Sequence, residues 1–215
     1  MLASDVDKVV YRDTRRRLLD VAGEVFAEKG FEQTTVREVC RRAKANIAAV
    51  NYHFGCKRNL YSAVFDYLQT WIDEQFQLSS STAESVENRL REFVRQFLWR
   101  LLDPGRPSWH GRLLAREMSD PTEALEALVR NDIRPRFEVL QGIIRELAGD
   151  VPPRVIAKCA ASVVGQMLHY HFARPVLRLV SPVYGDLEKH VEELADHVTR
   201  FSLAGILAIA ERYRK

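Results

Sequence analysis

From Thr14 to Lys29 the apolar positions Leu18, Leu19, Ala22, Val25 and Phe26 recur at three- and four-residue spacing, which predicts a helix buried along one side. Gly30 follows as the left-handed residue that ends it. Thr35 then stands three residues before Glu38, a capping box whose hydroxyl and carboxylate would satisfy free N–H groups at the start of a second helix running to about Ala43. Its inward face would be Val36, Val39, Cys40 and Ala43, leaving Arg37, Arg41 and Arg42 to point elsewhere. A short turn at Lys44 and Ala45 leads to Asn46, a good N-cap for a brief third helix, Ile47 to His53, with Ile47 and Val50 packed inward. A fourth helix spans Lys57 to Phe76 on a stripe of Leu60, Val64, Leu68 and Ile72, and the run Ser79, Ser80, Ser81 ends it.

Further helices are expected near 83–102, 108–118, 121–148, 153–179 and 185–214, punctuated by Pro104, Gly105, Pro107, Gly149, Pro152 and Pro182. Pro135 should kink or split the third of these. No stretch shows the sustained alternation of paired strands. The fold class is therefore all-α: an N-terminal three-helix domain over 1–56, and a larger helical domain over 57–215 whose first helix, 57–78, links the two.

An apolar fraction of 47% and a charged fraction of 28% exclude a disordered chain. Cys40, Cys56 and Cys159 are scattered without a CxxC spacing, so neither a disulfide framework nor a zinc site is legible and a reducing compartment is expected. No apolar run approaches roughly 18 residues, and the first thirty residues are charged. The expectation is a soluble cytoplasmic protein with no membrane partner.

Net charge is only +3, but its distribution is uneven. Before residue 60 there are 12 basic against 8 acidic residues, and from Gln33 to Leu60 six basic residues (Arg37, Arg41, Arg42, Lys44, Lys57, Arg58) face one acid, Glu38. A solvated helix face would account for such a cluster, and so would a polyanion-binding one. Spacing favours the second. Two short helices joined by a tight turn and braced by a preceding helix make a helix-turn-helix, whose second helix enters the DNA major groove. That helix must carry small and polar groups outward so that base edges are approachable. Asn46, Ala48, Ala49, Asn51, Tyr52 and His53 meet the requirement: alanine methyls suit thymine methyls, Asn51 suits base edges or phosphate, and Tyr52 and His53 reach phosphate. Thr35, Arg37 and Lys57, at helix starts, would add phosphate contacts, and Lys44 lies in the turn.

The segments Thr34-Thr35-Val36-Arg37-Glu38-Val39 and Ala49-Val50-Asn51-Tyr52-His53-Phe54, followed by Lys57 and Leu60, resemble the TetR family of bacterial transcriptional repressors over about residues 12–65. Thr35, His53 and Lys57 stand where that family contacts phosphate. Lys44 and Asn51 replace the glycine of the turn and the aromatic ahead of the Tyr-His-Phe sequence, departures that touch turn geometry and operator choice. The resemblance implies a double-stranded DNA operator, a small-molecule effector whose binding releases DNA, and a homodimer formed through the last helices.

Leu187, Val191, Leu194, Val198, Phe201, Gly205 and Ala208 alternate in steps of four and three, as a helix-packing seam requires, and Ile156, Cys159, Val163, Met167 and Tyr170 form a comparable stripe. Together they suit a four-helix dimer interface or a core within one chain. The stretch Gly165 to Pro175, with Leu114 to Met118, resembles the C-terminal domain of the CecR-like subgroup of the family. As an effector site it offers Arg116, Gln166, His169 and Arg174 as polar groups and Trp109, Met118, Phe137, Met167 and Phe172 as walls, suited to an aromatic or anionic molecule. Each of these residues also has an ordinary role open to it in the core, in an ion pair or in solvent.

No cofactor or metal is expected. His190, Glu193 and His197 lie along one side of the last helix, but as a solvated rim, and His169 and His171 point to different sides. Without a nucleophile elbow, phosphate loop or facial triad, an all-helical enzyme is disfavoured. A helical adaptor that binds only protein is the remaining alternative to a ligand-responsive DNA-binding regulator.

Overall fold

The computed structural model describes residues 3–75, 85–103, 105 and 107–214, with side chains from 13 to 70 in the first stretch. Among the described residues there is no strand, and the helices run α1 (Ala3–Gln33), α2 (Val36–Arg42), α3 (Ile47–Phe54), α4 (Lys57–Gln75), α5 (Val86–Leu102), α6 (Trp109–Ser119), α7 (Glu123–Leu128), α8 (Arg134–Ala148), α9 (Pro153–Phe172), α10 (Arg174–Val180) and α11 (Val191–Glu211). The all-α expectation holds. The run Ser79–Ser81, Pro104 and the start expected near 83 lie outside the described residues. No described helix is long and apolar enough to cross a membrane.

The prolines account for most departures from the expected helix bounds. The 121–148 helix resolves into α7, a π-helical turn (Val129–Ile133) and α8, with Pro135 in the first turn of α8, where its missing N–H costs nothing. Pro175 does the same at the start of α10 and breaks the 153–179 helix at Ala173. The last helix begins only at Val191, so Leu187 sits in a 3₁₀ turn (Leu187–Lys189) rather than in the seam's helix.

Two compact units form. The first comprises Met1–Gln75 and Pro107–Val129, the second Phe76–Arg106 and Arg130–Lys215. In the first, Leu18, Leu19, Ala22, Val25 and Phe26 of α1 meet Val39, Cys40 and Ala43 of α2, Val50 and Phe54 of α3, and Leu60, Val64 and Leu68 of α4. α6 and α7 belong to the same unit. Trp109 of α6 lies on Gly23 of α1, where even an added Cβ would come within 2.4 Å of the indole. Glu117, wholly buried, accepts a 2.5 Å hydrogen bond from the Tyr61 hydroxyl of α4 and two more, at 2.7 and 2.8 Å, from the Thr122 N–H and hydroxyl that open α7. Burial and the adjoining Glu117 carboxylate push the Tyr61 hydroxyl pKa up. Arg116 donates to the Glu28 and Lys29 carbonyls near the end of α1.

In the second unit α5 packs on α11, α8 and α9 around Leu90, Val94, Leu98, Leu140, Ile144, Val163, Met167 and Val198. Ion pairs stitch its rim. Arg91 of α5 reaches Asp196 and Glu192 of α11, and Arg89 reaches Glu146 of α8. Asp132 of the π turn sits between Arg100 of α5 and Arg136 of α8.

Candidate nucleic-acid interface

Backbone geometry sets up the second and third helices. Gly30 takes φ +80° and redirects α1, and the Thr34 hydroxyl seals the bend by donating to the Gly30 carbonyl at 2.7 Å. Thr35 caps α2, its hydroxyl accepting the Glu38 N–H at 3.2 Å. The reciprocal half of the expected capping box is missing. The Glu38 carboxylate instead takes Lys29 at 2.7 Å on both oxygens and Arg42 at 2.9 Å, because two nearby cations outbid a backbone amide. These cations, Lys29 foremost, hold its carboxyl below the usual range.

The turn between α2 and α3 runs through Lys44 at φ +49°, the left-handed region a glycine would enter freely. Asn46 then caps α3, its side-chain oxygen accepting the Ala48 N–H at 2.9 Å. The C-terminal end of α2 is braced by Arg17, which donates to the Ala43 carbonyl at 3.0 Å.

On α3 the buried side is Val50 and Phe54, with Ala49 partly buried, whereas Asn46, Ile47, Ala48, Asn51 and Tyr52 are exposed. Ile47, expected inside, is 42% exposed. As the first residue of α3 it leans back over a turn too short to cover it. Tyr52 is 76% exposed and its ring lies edge-on to His53. His53 is half-buried, and burial, with the charge of Arg15 adding, lowers its pKa.

Electrostatics divide the six cations of this region. Arg42 is held at 2.9 Å by both Glu28 and Glu38, and Arg58 pairs with Glu123. The Lys57 ammonium donates to three carbonyls, Phe31 at 2.8 Å, Glu32 at 3.3 Å and Thr34 at 3.1 Å, and lies over the Phe31 ring. It ties the start of α4 to the bend between α1 and α2. Arg37, Arg41 and Lys44 are exposed and make no side-chain pairing with described residues. Arg41, counted in the basic cluster but given no DNA contact from sequence, lies one turn after Arg37 on α2. Arg15, stacked over Phe54 at 5.4 Å, was missed as well, since it sits outside the charge cluster.

The structure thus brings Arg37, Lys44, Asn46, Ala48, Asn51 and Tyr52 to the surface of two adjacent helices and their turn, with Thr35 at one edge and His53 and Lys57 half-buried behind. Such a short, outward helix ringed by unpaired cations has the shape and charge of a major-groove reader.

Comparison with known proteins decides the matter. Residues 86–206 match the model of the HTH-type transcriptional dual regulator CecR, C-terminal domain, and residues 18–64 that of the bacterial regulatory proteins, tetR family. The chain belongs to the TetR family. It is a DNA-binding transcriptional regulator and not an enzyme, as its relatives are. It is 28% identical to the dual regulator CecR of Shigella flexneri over 73% of this chain and 70% of that protein. With the transcriptional repressor Rv3405c of Mycobacterium tuberculosis it shares 34% identity over 56% of this chain and 59% of that one. AibR, solved with isovaleryl coenzyme A and operator DNA, has the same fold: TM-score 0.58 at 20% identity, over 74% of this chain and 85% of that one.

The residues read from sequence as an effector site fall in different units of this TetR-family chain. Trp109 is core, Arg116 is spent on α1 carbonyls and Met118 is exposed, all in the first unit. In the second, Met167 is core, Phe137 is partly buried, Arg174 pairs with Glu188, and Gln166 donates to the Ser202 hydroxyl at 3.1 Å. His169 and Phe172 are exposed. Of the seam, Ile156, Cys159, Val163, Leu187, Val191, Leu194 and Val198 are buried within the unit's own core, while Phe201, Gly205 and Ala208 face outward. Among the described residues no group of three or more metal-ligating side chains forms, and His190 lies 3.5 Å from Glu193.

Proposed function

We propose that this TetR-family regulator is a homodimeric repressor that sets two copies of α3 into successive major grooves of a pseudo-palindromic operator and leaves it when a small molecule binds. The observation that carries the reading is the outer side of α3, where Asn46, Ala48, Asn51 and Tyr52 are exposed and Arg37, Arg41 and Lys44 nearby have no side-chain partner among the described residues. Asn51 and Ala48 read base edges. Thr35, Arg37, Lys44, Tyr52 and His53 hold phosphates, and Lys57 braces the reading head through its three carbonyl bonds. Half-sites lie one helical turn apart, about 34–36 Å.

Pairing uses the outward residues of α9 and α11. Ala161, Ser162 and Gly165 on one, and Ala204, Gly205 and Ala208 on the other, are small and exposed, which lets four helices approach closely. The effector is taken up by the second unit, with Phe137, Gln166, His169 and Phe172 as its nearest candidates there. Repression follows the name of Rv3405c, and ligand response follows AibR with its acyl-coenzyme A. Because α6 and α7 are locked to α1 and α4 through Trp109, Arg116 and Glu117, they move as part of the reading head. Effector binding must favour the state in which the heads no longer match one turn of DNA.

A band-shift titration on the DNA upstream of the encoding gene tests this. Binding should weaken steeply with salt, and Arg37→Ala should lower the salt slope by about one without changing sequence preference. Salt-independent or absent binding there and on a random-sequence library would reject it and favour a protein-binding adaptor.

A further inference from the structure

Arg15, Arg16 and Arg17 stand in a row on α1, and because successive residues of a helix point about 100° apart, each meets a different neighbour. Arg17 donates to the Asp13 carboxylate at 3.2 Å and to the Ala43 carbonyl at the end of α2 at 3.0 Å. Arg16 lies by Asp20 and hydrogen-bonds to Tyr67 of α4. Arg15 reaches α3, where its guanidinium stands over the Phe54 ring, 5.4 Å from the centre. Two of the three thus brace the first unit, and the third goes to the end of the groove helix.

Phe54 is the last residue of α3 and His53 the one before it. Phe54 is only 7% exposed, whereas Arg15 is exposed above it. A guanidinium that rests its flat face on a ring keeps its N–H edges for other partners, and the stacking holds in place a side chain that would otherwise sweep freely. Its charge falls on His53, where it disfavours the imidazolium. Two groups that repel each other when both are charged have a natural complement in an anion to which both can donate. The other cations placed near this end of the head are engaged: Lys57 holds the carbonyls of Phe31, Glu32 and Thr34, and Arg42 holds Glu28 and Glu38.

We propose that Arg15 and His53 together seat one backbone phosphate of the operator, the guanidinium supplying the charge and the neutral imidazole a single N–H. The first helix, which the sequence offers only as a brace, then holds DNA alongside α2 and α3. This assignment rests on the reading of α3 as the groove helix.

The test uses the full chain, DNA selected with it from a random-sequence library, and a buffer at about pH 8, where a histidine is neutral. Arg15→Gln, at an exposed position, should melt close to the wild type, bind about tenfold more weakly and lower the salt slope by about one. Arg15→Lys should keep the slope. His53→Gln should weaken binding and leave the slope alone. Replacing single phosphates by neutral methylphosphonate should reveal one position that costs the wild type about tenfold and costs Arg15→Gln and His53→Gln much less, and the double variant should lose less than the product of the two single losses. An affinity and slope unchanged in Arg15→Gln would overturn the proposal and leave groove reading intact. So would a weaker affinity with an unchanged slope, which makes Arg15 a brace for Phe54 alone. Sensitivity at two different phosphates, or losses that multiply in full, would overturn the shared seat. DNA binding that is absent or independent of salt would end both this assignment and the reading beneath it.

Discussion

Two exposed helical faces of this chain have opposite character. The outer side of α3 is polar, with Tyr52 standing 76% exposed, and Arg37 and Arg41 of α2 and Lys44 of the turn have no side-chain partner among the described residues. The outward side of α9 and α11 is built from Ala161, Gly165, Ala204, Gly205 and Ala208, while Phe201 stands beside them 65% exposed. Both leave solvent-facing groups that the core does not use. A face of unpaired cations and amides is complementary to a polyanion with groove edges, and a face of small residues is complementary to another helix. The difference shows how charge left unneutralised, and bulk left out, mark two kinds of partner.

The sharpest way to break this contrast is to put charge on the small-residue face. Gly205→Glu places its side chain in open space within one chain, so the protomer should fold. Across a two-fold pairing the like charges meet, and dimerisation should weaken by about a hundredfold or more in sedimentation equilibrium. A dimer of unchanged affinity would move the pairing face elsewhere. Next is Tyr61→Phe, which removes one of three donors to buried Glu117. It should cost about 1–3 kcal/mol in chemical denaturation and leave base preference alone. Asn51→Ala should cost a similar amount, about 1–3 kcal/mol, but only at one operator position in a selected-site binding series.

Lys44→Gly separates backbone from charge. Relieving φ +49° should stabilise the fold by about 0.5–1 kcal/mol, while the salt slope of DNA binding falls by about one. The smallest effect is that of His53. Its folded-state pKa is lowered, so its neutral form is favoured in the fold. That contribution is intact above the unfolded value of about 6.5. It is lost progressively as the pH falls through that value toward the folded one. His53→Gln should flatten this portion of a stability-against-pH curve.

The reading head was legible because its signals are local. Gly30, the Thr35 and Asn46 caps and the α2 core face of Val39, Cys40 and Ala43 all occur where spacing placed them. Glu38 and Ile47 were misread for reasons that lie outside their own helices: one found cations on α1 and α2, and the other found no neighbour to cover it. In the second unit the heptad from Leu187 to Ala208 was visible, yet spacing could not tell a core from an interface. The structure divides it, with Val191, Leu194 and Val198 inward and Phe201, Gly205 and Ala208 outward.

The short helices α2 and α3, the Thr35 and Asn46 N-caps and the recognition segment follow from residues within a few positions of one another, and the amino-acid order alone determined them. Which cations stay unpaired, which half of the seam is core, and that α6 and α7 pack in the same unit as the reading head depend on residues far apart in the chain. Lys57 on the Phe31 carbonyl and Tyr61 on Glu117 are such pairs. Only folding in three dimensions decides them, because burial and charge pairing are properties of neighbours in space.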